Sequence, residues 1–408
     1  MNMKKIKILI TDNQRLTPVD GGAQVRIYNQ IRYLPENFEV TYLGTTAYDL
    51  LEQKEKQVKY NINEVVVEIK KPILLFNSFL TRKVHGVHTF DIVISLYERF
   101  NKEFKQKIHC LAQESDILIA SHPWFFPFIK NYENKILIYD SHNCEYLLKK
   151  EVLTKMLLGK VLLAIIKKIE KNACRKSDLI FACSEENKKS YIELFNVPES
   201  KIKVLPNSVD TNEIKPVSKQ EKVKAKKILG INDSKTILFV GTYYGPNNEG
   251  FDFILTKLVA YLKDFIFLIV GNVNLYFYDV YGKKTQIPHN LKMFGKVSHQ
   301  KYNEILAASD IAINPMFSGS GINIKMLDYM AAGIPIISTK IGARGLRISH
   351  NDMVICETHE FIKEISTLDS QRIKIMTNNS LRIIKKYYDS SIICKKFSIE
   401  VMRIYKNE

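Results

Sequence analysis

The chain has 408 residues, 46% of them hydrophobic, which is typical of a soluble globular protein and is more than one hydrophobic core usually serves. Its 12 prolines and 17 glycines exclude a low-complexity chain, and its six scattered cysteines, without a CxxC pair, exclude a disulfide framework. Sixty basic and 43 acidic residues leave a net charge of +17, so we expect an anionic partner: nucleic acid, lipid head groups or a phosphorylated substrate.

The start of the chain predicts a cytoplasmic protein. Residues 1–7 are basic, but the apolar run that follows at 8–10 is too short for the core of a signal peptide. No stretch approaches the roughly 20 apolar residues that span a bilayer. We therefore expect a cytoplasmic chain that is at most attached to the cytoplasmic face of a membrane.

Short, nearly continuous apolar runs predict buried parallel strands in both halves of the chain. In the first half they lie at 6–10, 40–43, 116–120, 135–139, 178–182 and 203–205. In the second half they lie at 236–240, 265–270, 310–313, 334–337 and 353–355. Helical stretches alternate with these runs, so the predicted fold class is α/β, with two doubly wound, Rossmann-like domains that face each other across a cleft. In such folds ligands bind beyond the carboxyl ends of the strands.

A glycine pair follows the first predicted strand. Gly21 and Gly22 come after Asp20 and before a predicted helix over 23–34, which Pro35 ends. Glycine at this place lets the backbone approach a ligand, and a tight turn without a ligand is the alternative.

Two histidines follow neighbouring predicted strands. His122 comes after the third strand, and His142, followed by Asn143, comes after the fourth. Both belong at the edge where a ligand is expected, although a structural or capping role is the commoner fate of a single histidine. Glu145 is a weaker candidate, because nothing in the sequence fixes the direction of its side chain.

The segment 149–176 is strongly basic. It contains nine basic and two acidic residues, with leucine, isoleucine and valine interleaved. This pattern predicts one helix with an apolar face and a cationic face, which suits an anionic membrane surface. The alternative is a helix that packs on the core and leaves its lysines in water.

A linker is predicted between the two halves, in the polar stretch over 211–227 that contains Pro216 and several lysines. A last helix is predicted over 380–405 from apolar residues at helical spacing. The predicted segments are a first domain at 1–208, a second domain at 209–380, and a terminal segment at 381–408 that crosses back to the first domain.

The most informative motif lies at 318–335 and reads SGSGINIKMLDYMAAGIP. It follows a predicted strand, begins with small residues, continues as a helix, and ends at a glycine and a proline. Small residues at a helix start let a phosphate approach the free backbone N–H groups and the positive end of the helix dipole. Gly321, Lys325 and Asp328 are spaced to line one face, which suits a nucleoside diphosphate whose ribose the carboxylate binds. A glycine turn before a solvated helix is the alternative.

This motif resembles the donor-binding signature of the family 4 glycosyltransferases, which have the two-domain GT-B fold. Other segments are similar to landmarks of that family in the same order: DGGAQ at 20–24, LPNSVD at 205–210, FVGT at 239–242, VG at 270–271 and FGKV at 294–297. The resemblance covers nearly the whole chain. It implies a retaining transferase that moves a sugar from a UDP- or GDP-sugar to a glycan, a lipid-linked molecule or another cell-envelope acceptor, with no metal or other cofactor.

The resemblance also implies roles for single residues. Asp328 is expected to hold the donor ribose, and His122 is expected to be the catalytic residue, near the acceptor and the reacting sugar. The other expected donor-binding residues are Gly241, Thr242, Ser320, Gly321, Ile322, Asn323, Lys325 and Arg344. On the acceptor side and in the glycine loop, the expected residues are Gly21, Gly22, His142 and Asn143.

Three positions depart from the family pattern. Ser320 stands where the family has the acid that contacts the donor sugar, and Thr242 and Asn248 stand where it has the Arg and Lys that clamp the diphosphate. Lys325, helped by Arg344, is expected to supply the missing positive charge.

Three other functions are compatible with the sequence. A sugar-nucleotide epimerase would share the two-domain build, a nucleic-acid-binding protein would account for the net charge, and a non-catalytic scaffold would account for the three departures. The sequence contains no recognised RNA- or DNA-binding motif, Walker loop, Ser-His-Asp set or carboxylate metal cluster. We therefore expect no nucleic-acid partner and no metal.

Overall fold

The computed structural model describes residues 5–19, 21–46, 55–59, 61–84, 89–95, 101–154, 157–319 and 321–407. The chain falls into two compact units, one made of Met1–Asn207 with Ser391–Glu408 and the other of Ser208–Ser390.

The described part of the first unit is built on an eight-stranded sheet. Its strands are β1 (Ile6–Thr11), β2 (Phe38–Thr46), β3 (Glu55–Lys59), β4 (Ile62–Glu68), β5 (Ile117–Ser121), β6 (Ile136–Asp140), β7 (Leu179–Ala182) and β8 (Ile202–Val204). They lie in the order β3-β4-β2-β1-β5-β6-β7-β8, and every neighbouring pair is parallel except β3 with β4.

Helices connect these strands, as parallel pairing requires. They are α1 (Gly22–Ile31), α2 (Lys71–Lys83), α3 (Phe90–Ile94), α4 (Lys102–Glu114), α5 (Phe126–Ile129), α6 (Glu145–Leu153), α7 (Leu157–Lys176) and α8 (Glu185–Phe195). Nearly continuous β-branched and leucine residues fill the central strands β1, β5, β6 and β7, and they are buried on both faces of the sheet.

The second unit repeats the plan with a smaller sheet that is parallel throughout its described strands. The strands are β9 (Lys235–Val240), β10 (Phe265–Val270), β11 (Leu291–Gly295), β12 (Ile311–Asn314), β13 (Ile336–Ser338) and β14 (Val354–Ile355), in the order β11-β10-β9-β12-β13-β14. Its helices are α9 (Lys219–Ile228), α10 (Gly245–Phe253), α11 (Val273–Tyr281), α12 (His299–Ala308), α13 (Ile324–Ala331), α14 (Phe361–Thr367) and α15 (Ser370–Ile383). These two parallel, helix-covered sheets confirm the predicted α/β class with two Rossmann-like domains.

The last helix, α16 (Ser390–Tyr405), belongs to the first unit. Ile393, Phe397 and Val401 follow one another at four-residue spacing, and they are buried in the same cluster as the strand residues of β1. The Phe397 ring lies 5.3 Å from the Phe181 ring of β7, measured between centroids. The end of the chain thereby completes the core of the first unit.

The predicted single helix over 380–405 is wrong, because the helix is interrupted at Asp389. Asp389 is extended, with φ −68° and ψ 136°. On either side of it the backbone pairs with Val209, whose N–H donates to Tyr388 O and whose carbonyl accepts from Ser390 N. At Asp389 the pairing with the distant Val209 replaces the helical hydrogen bonds. The helical spacing of apolar residues could not reveal this pairing.

Two other predicted segments differ from the structure. The basic segment 149–176 forms two helices, α6 and α7, which pack on each other, where a single helix was predicted. The predicted linker over 211–227 contains the start of α9, which Ser218 and Glu221 cap reciprocally. Strands β3, β4 and β11 were not predicted.

Among the described residues, no helix combines the length and the hydropathy that crossing a bilayer requires.

The role of α16 in the core predicts a stability effect. Phe397→Ala is expected to lower the free energy of unfolding of the first unit by about 3 kcal/mol, because it leaves a cavity beside β7. Ile399 on the same helix is 54% exposed, so Ile399→Ala is a matched control and is expected to cost less than about 0.5 kcal/mol. Urea unfolding followed by circular dichroism measures both, and equal losses would contradict the packing described.

Candidate active site

Polar side chains collect at one edge of the sheet in the first unit. Asp12 follows β1, His122 follows β5, and His142 comes shortly after β6. Because β1, β5 and β6 are adjacent and parallel, their carboxyl ends meet at one edge, as predicted for the two histidines. All three side chains are largely withdrawn from water.

His122 is held in an unusual conformation. Its φ is 69°, in the left-handed region that costs a residue with a Cβ atom about 1–2 kcal/mol. Its backbone N–H donates to Asp140 O at 3.1 Å, and its Nδ1 lies 3.3 Å from Glu145 Oε1. Such conformations persist where the surroundings enforce them, and they concentrate at functional sites.

The two histidines have opposite charge preferences. Burial lowers the pKa of His122, but the hydrogen bond to Glu145 and the charges of Asp12 and Glu145 outweigh it and raise the pKa to about 9. Burial, together with the nearby His122 and Arg26, holds the pKa of His142 well below its ordinary value. The ring centroids lie 4.0 Å apart with the planes tilted by 37°, so at neutral pH a protonated imidazole lies against a neutral one.

Asp12 faces this pair. Burial raises the pKa of Asp12 to about 6, although the charge of His122 and the hydrogen bonds from Asn13 N and Tyr42 OH oppose that rise. The carboxylate is therefore ionised above about pH 6, and it supports the protonated form of His122 in that range.

Two buried acids hold the frame of the site. Asp140, at the end of β6, pairs with Arg26 of α1 at 2.7 Å, and Arg26 also donates to Leu205 O and to Asn207 Oδ1. Glu170 of α7 accepts the backbone N–H groups of Glu145 and Tyr146 at 2.8 Å each.

The contacts of Glu170 explain the direction of the Glu145 side chain, which the sequence left open. The Glu170 carboxylate caps the start of α6, where Glu145 is the first residue. This cap fixes Glu145, and Glu145 in turn meets His122.

The other predicted residues of this unit have local partners. The N–H of Gly21 donates to Gln24 Oε1 at 2.7 Å, so Gly21 is a helix cap, while Gly22 is exposed at the first position of α1. The carbonyl of Asn143 accepts from Ser141 Oγ at 3.0 Å and from Tyr191 OH at 2.9 Å. A ligand contact at Gly21, Gly22, His142 or Asn143 stays a prediction.

In the second unit, the glycines of the 318–335 motif form a loop with left-handed backbone. Gly319 has φ 109° and Gly321 has φ 72°, values that favour glycine over any residue with a Cβ atom. Ser320, one of the predicted donor-binding residues, lies outside the described part of the chain. Arg344 donates from Nη1 to Gly319 O and from Nε to Gly321 O. Arg344, predicted as a phosphate contact, therefore braces the loop itself.

The helix of the motif, α13, begins at Ile324, slightly later than the predicted start near Ile322. Ile322 is buried, and Asn323, the residue before the helix, donates from Nδ2 to Gly342 O at 3.0 Å. Within the helix, Lys325 and Asp328 are three positions apart and lie on one face. Both side chains remain partly exposed.

The charges of Lys325 and Asp328 have neutral partners. Lys325 Nζ donates to Asn247 Oδ1 at 3.0 Å and lies 4.3 Å from the centroid of the Phe239 ring, and burial lowers its pKa to about 7. Asp328 Oδ2 accepts from Tyr302 OH at 2.8 Å, and burial raises its pKa to about 7 against the effect of that hydrogen bond.

The residues after β9 lie next to Lys325. Asn247, which accepts from Lys325, donates to the carbonyl and hydroxyl oxygens of Thr242 at 3.2 and 3.1 Å. A Cβ atom on Gly241 would lie 3.0 Å from the Phe239 ring, so glycine keeps this turn close to β9. Asn248 Oδ1 is buried and has no hydrogen-bond partner among the described residues.

Two family models match the chain, one for each part. The model described as glycosyltransferase family 4 matches residues 20–213, and the model described as glycosyl transferases group 1 matches residues 234–370. Together they cover most of the sequence. The chain belongs to the family 4, group 1 glycosyltransferases.

Similar proteins agree with this assignment. A UDP-Gal:alpha-D-GlcNAc-diphosphoundecaprenol alpha-1,3-galactosyltransferase of Escherichia coli is 22% identical, over 95% of this chain and 92% of that protein. An uncharacterised 44.6 kDa protein from the cps region of Klebsiella pneumoniae is 27% identical over a shorter stretch, 38% of this chain and 42% of that protein. The crystal structure of Anabaena HepE with UDP and glucose has a TM-score of 0.69 and 17% identity, over 97% of this chain and 99% of that one, and shows the same GT-B fold.

This glycosyltransferase is thus an enzyme that uses a nucleotide-sugar, and the alternative of an epimerase with the same build is not favoured.

Several residues around its candidate site were missed by the sequence reasoning. Asp12 was detectable, since it lies two residues after the first predicted strand. Asn247 and Tyr302 had no such signal, because each reaches its partner from a different helix.

The His122–Glu145 contact predicts a titration change. In Glu145→Gln the hydrogen bond to a charged group is lost, so the pKa of His122 is expected to fall from about 9 toward its ordinary value. NMR titration of the imidazole Cε1–H resonance measures it. Glu151→Gln, on the exposed side of the same helix, is the control and is expected to leave the value unchanged.

Proposed function

We propose that this glycosyltransferase moves a sugar from a UDP-sugar to a lipid-linked glycan, with retention of the anomeric configuration and without a metal ion. The donor site lies at the glycine loop and the start of α13, and the first unit supplies the contacts to the acceptor side. One observation carries the proposal. Lys325 and Asp328 lie partly exposed on one face of α13, directly after a glycine loop with left-handed backbone.

The chemistry of these groups suits a nucleoside diphosphate. Backbone N–H groups at the start of α13 and the Lys325 ammonium favour the diphosphate, and the Asp328 carboxylate accepts hydrogen bonds from both ribose hydroxyls. The leaving diphosphate gains negative charge in the transition state, so fixed donors and one cation at this place lower the barrier. Because Thr242 and Asn248 carry no charge, Lys325 acts in place of the missing clamp.

The choice of nucleotide and acceptor rests on similar proteins. The E. coli relative that matches nearly end to end is named for UDP-Gal and a diphosphoundecaprenol acceptor, and the Anabaena structure contains UDP and glucose. Both support a UDP-sugar for this enzyme, with a GDP-sugar as the alternative to be compared. The first also supports a lipid-linked acceptor.

The protonation state of His122 limits the role that it can have in catalysis. With a pKa of about 9, His122 is already protonated at neutral pH and is therefore not the general base. It acts as a hydrogen-bond donor and positive charge toward a sugar hydroxyl, while an oxygen of the donor phosphate takes the proton of the acceptor. No metal is needed for the negative charge, and no group of His, Cys, Asp and Glu suited to a metal occurs among the described residues.

The lowered pKa of Lys325 predicts proton uptake on UDP binding. Since a bound diphosphate raises that pKa from about 7, binding takes up a proton between the two pKa values, and the affinity falls as the pH rises through this window. At about pH 8, calorimetry in buffers of different ionisation enthalpy is expected to detect this uptake.

The variant Lys325→Met is expected to abolish the uptake and to weaken UDP binding about 10–100-fold. Lys340→Met, an exposed lysine of the same unit, is the control. UDP binding by Lys325→Met at wild-type strength would remove the proposed donor site.

Turnover tests the roles of the remaining residues. Release of UDP from UDP-glucose and UDP-galactose is expected in the presence of EDTA, with GDP-mannose as the competing donor. Asp328→Ala is expected to raise the Michaelis constant for the donor at least about tenfold, since it removes the ribose contact, and His122→Ala is expected to lower kcat by about 100-fold with little change in UDP affinity.

NMR of the transferred sugar reports the anomeric outcome. Inversion, or loss of activity with EDTA that a divalent metal restores, would contradict the corresponding part of the proposal. Unchanged turnover in His122→Ala would remove that residue from the reaction.

A further inference from the structure

Helix α2 presents an apolar face that no described residue covers. Leu75, Phe76 and Phe79 are 63%, 49% and 50% exposed. The opposite face of the helix is also apolar, since Ile73 is buried and Leu80 packs against the core of the first unit. An apolar stripe on the outer side is therefore not needed to attach this helix to the fold.

Cations accompany the apolar stripe. At helical spacing, Lys71 and Arg82 lie along its Leu75 edge, and Lys83 lies between Phe79 and Phe76. All three basic side chains are exposed, and Lys83 Nζ lies 5.5 Å from the centroid of the Phe79 ring. The helix itself, KPILLFNSFLTRK, contains no acid.

The surroundings of the helix start are mixed but remain basic on balance. A depression of about 610 Å³ is lined there by Glu68, Lys70, Lys71, Glu103 and Lys107, among others. Cations therefore outnumber acids beside the start of the apolar stripe.

We propose that the exposed face of α2 docks this glycosyltransferase on an anionic lipid surface, with Leu75, Phe76 and Phe79 in the interface and Lys71, Arg82 and Lys83 on the head groups. An exposed apolar stripe accompanied by basic residues is the pattern of a helix that lies in the plane of a membrane. Each cation near an anionic surface strengthens such binding severalfold. A lipid-linked acceptor would be met at this surface, and to that extent the assignment rests on the proposed function.

A second copy of the chain is a poorer occupant. In a two-fold dimer the same patch meets itself, so the basic edges of one α2 would lie against those of the other. The net charge of +17 adds to that repulsion.

The basic segment predicted for this role divides its exposed apolar surface between two helices. Leu162, Leu163 and Ile166 of α7 are buried in the core of the first unit. The large apolar side chains that remain exposed among its described residues are Val152 of α6 and Val161 and Ile165 of α7, at 49%, 55% and 38%. Membrane binding through 149–176 stays a prediction, and the two α7 residues provide the matched control.

Flotation with lipid vesicles tests the assignment on the full chain. Wild-type protein is expected to bind vesicles of phosphatidylcholine with phosphatidylglycerol at least about tenfold more tightly than vesicles of phosphatidylcholine alone. Leu75→Ser with Phe79→Ser, and separately Lys71→Gln with Arg82→Gln, are each expected to weaken binding to the anionic vesicles about tenfold or more. Val161→Ser with Ile165→Ser is expected to change it less than about twofold.

Since all of these positions are exposed, the variants are expected to retain the circular dichroism spectrum and the UDP affinity of the wild type. Equal binding to both kinds of vesicle, or loss of binding in the α7 variant alone, would overturn the assignment. So would a wild-type dimer in lipid-free solution that Leu75→Ser with Phe79→Ser converts to a monomer. Vesicle binding without UDP binding would sink the proposed function and leave the docking surface standing.

Discussion

Parallel strand pairing decides where chemistry is available in this glycosyltransferase. In the first unit it brings Asp12, His122 and His142, which are far apart in the sequence, to one edge of the sheet. That edge is withdrawn from water, so a charge persists there only where a partner compensates for lost solvation. His122 has such a partner in Glu145 and is held protonated, whereas His142, 2.8 Å from the Ser121 hydroxyl, is held neutral.

The second unit treats its charged groups differently. The partly exposed Lys325 and Asp328 are bonded to a neutral amide and a neutral phenol, and among the described residues no opposite charge pairs with either. Burial therefore moves both pKa values toward neutrality. The first unit therefore holds the charge of His122 with an acid of its own, whereas in the donor site that we propose the charge of Lys325 depends on the bound diphosphate.

Sequence patterns revealed most of the fold, for reasons visible in single elements, and they predicted the sheet edge at which the structure places the two histidines. Strands such as β1 and β10 are buried on both sides, so their apolar runs were unmistakable. Strand β3, EKQVK, is polar and offered no such run. Contacts between residues that are distant in the sequence were not predicted either. Val209 interrupts the last helix at Asp389, and Arg344 donates to the glycine loop. Glu170 caps the helix that carries Glu145 and so directs Glu145 toward His122. None of these partners lies at a local sequence spacing that a helix or strand pattern can register.

The positive charge of the chain has several separate uses. Arg26 pairs with the buried Asp140, and Arg344 donates to the carbonyls of the glycine loop. In the donor site that we propose, Lys325 supplies further positive charge, and burial lowers its pKa to about 7. The cations of α2 are exposed and flank apolar side chains instead. The net charge of +17, which suggested nucleic acid, is thus divided among an internal ion pair, contacts to a loop and, as we propose, a donor site and a docking surface.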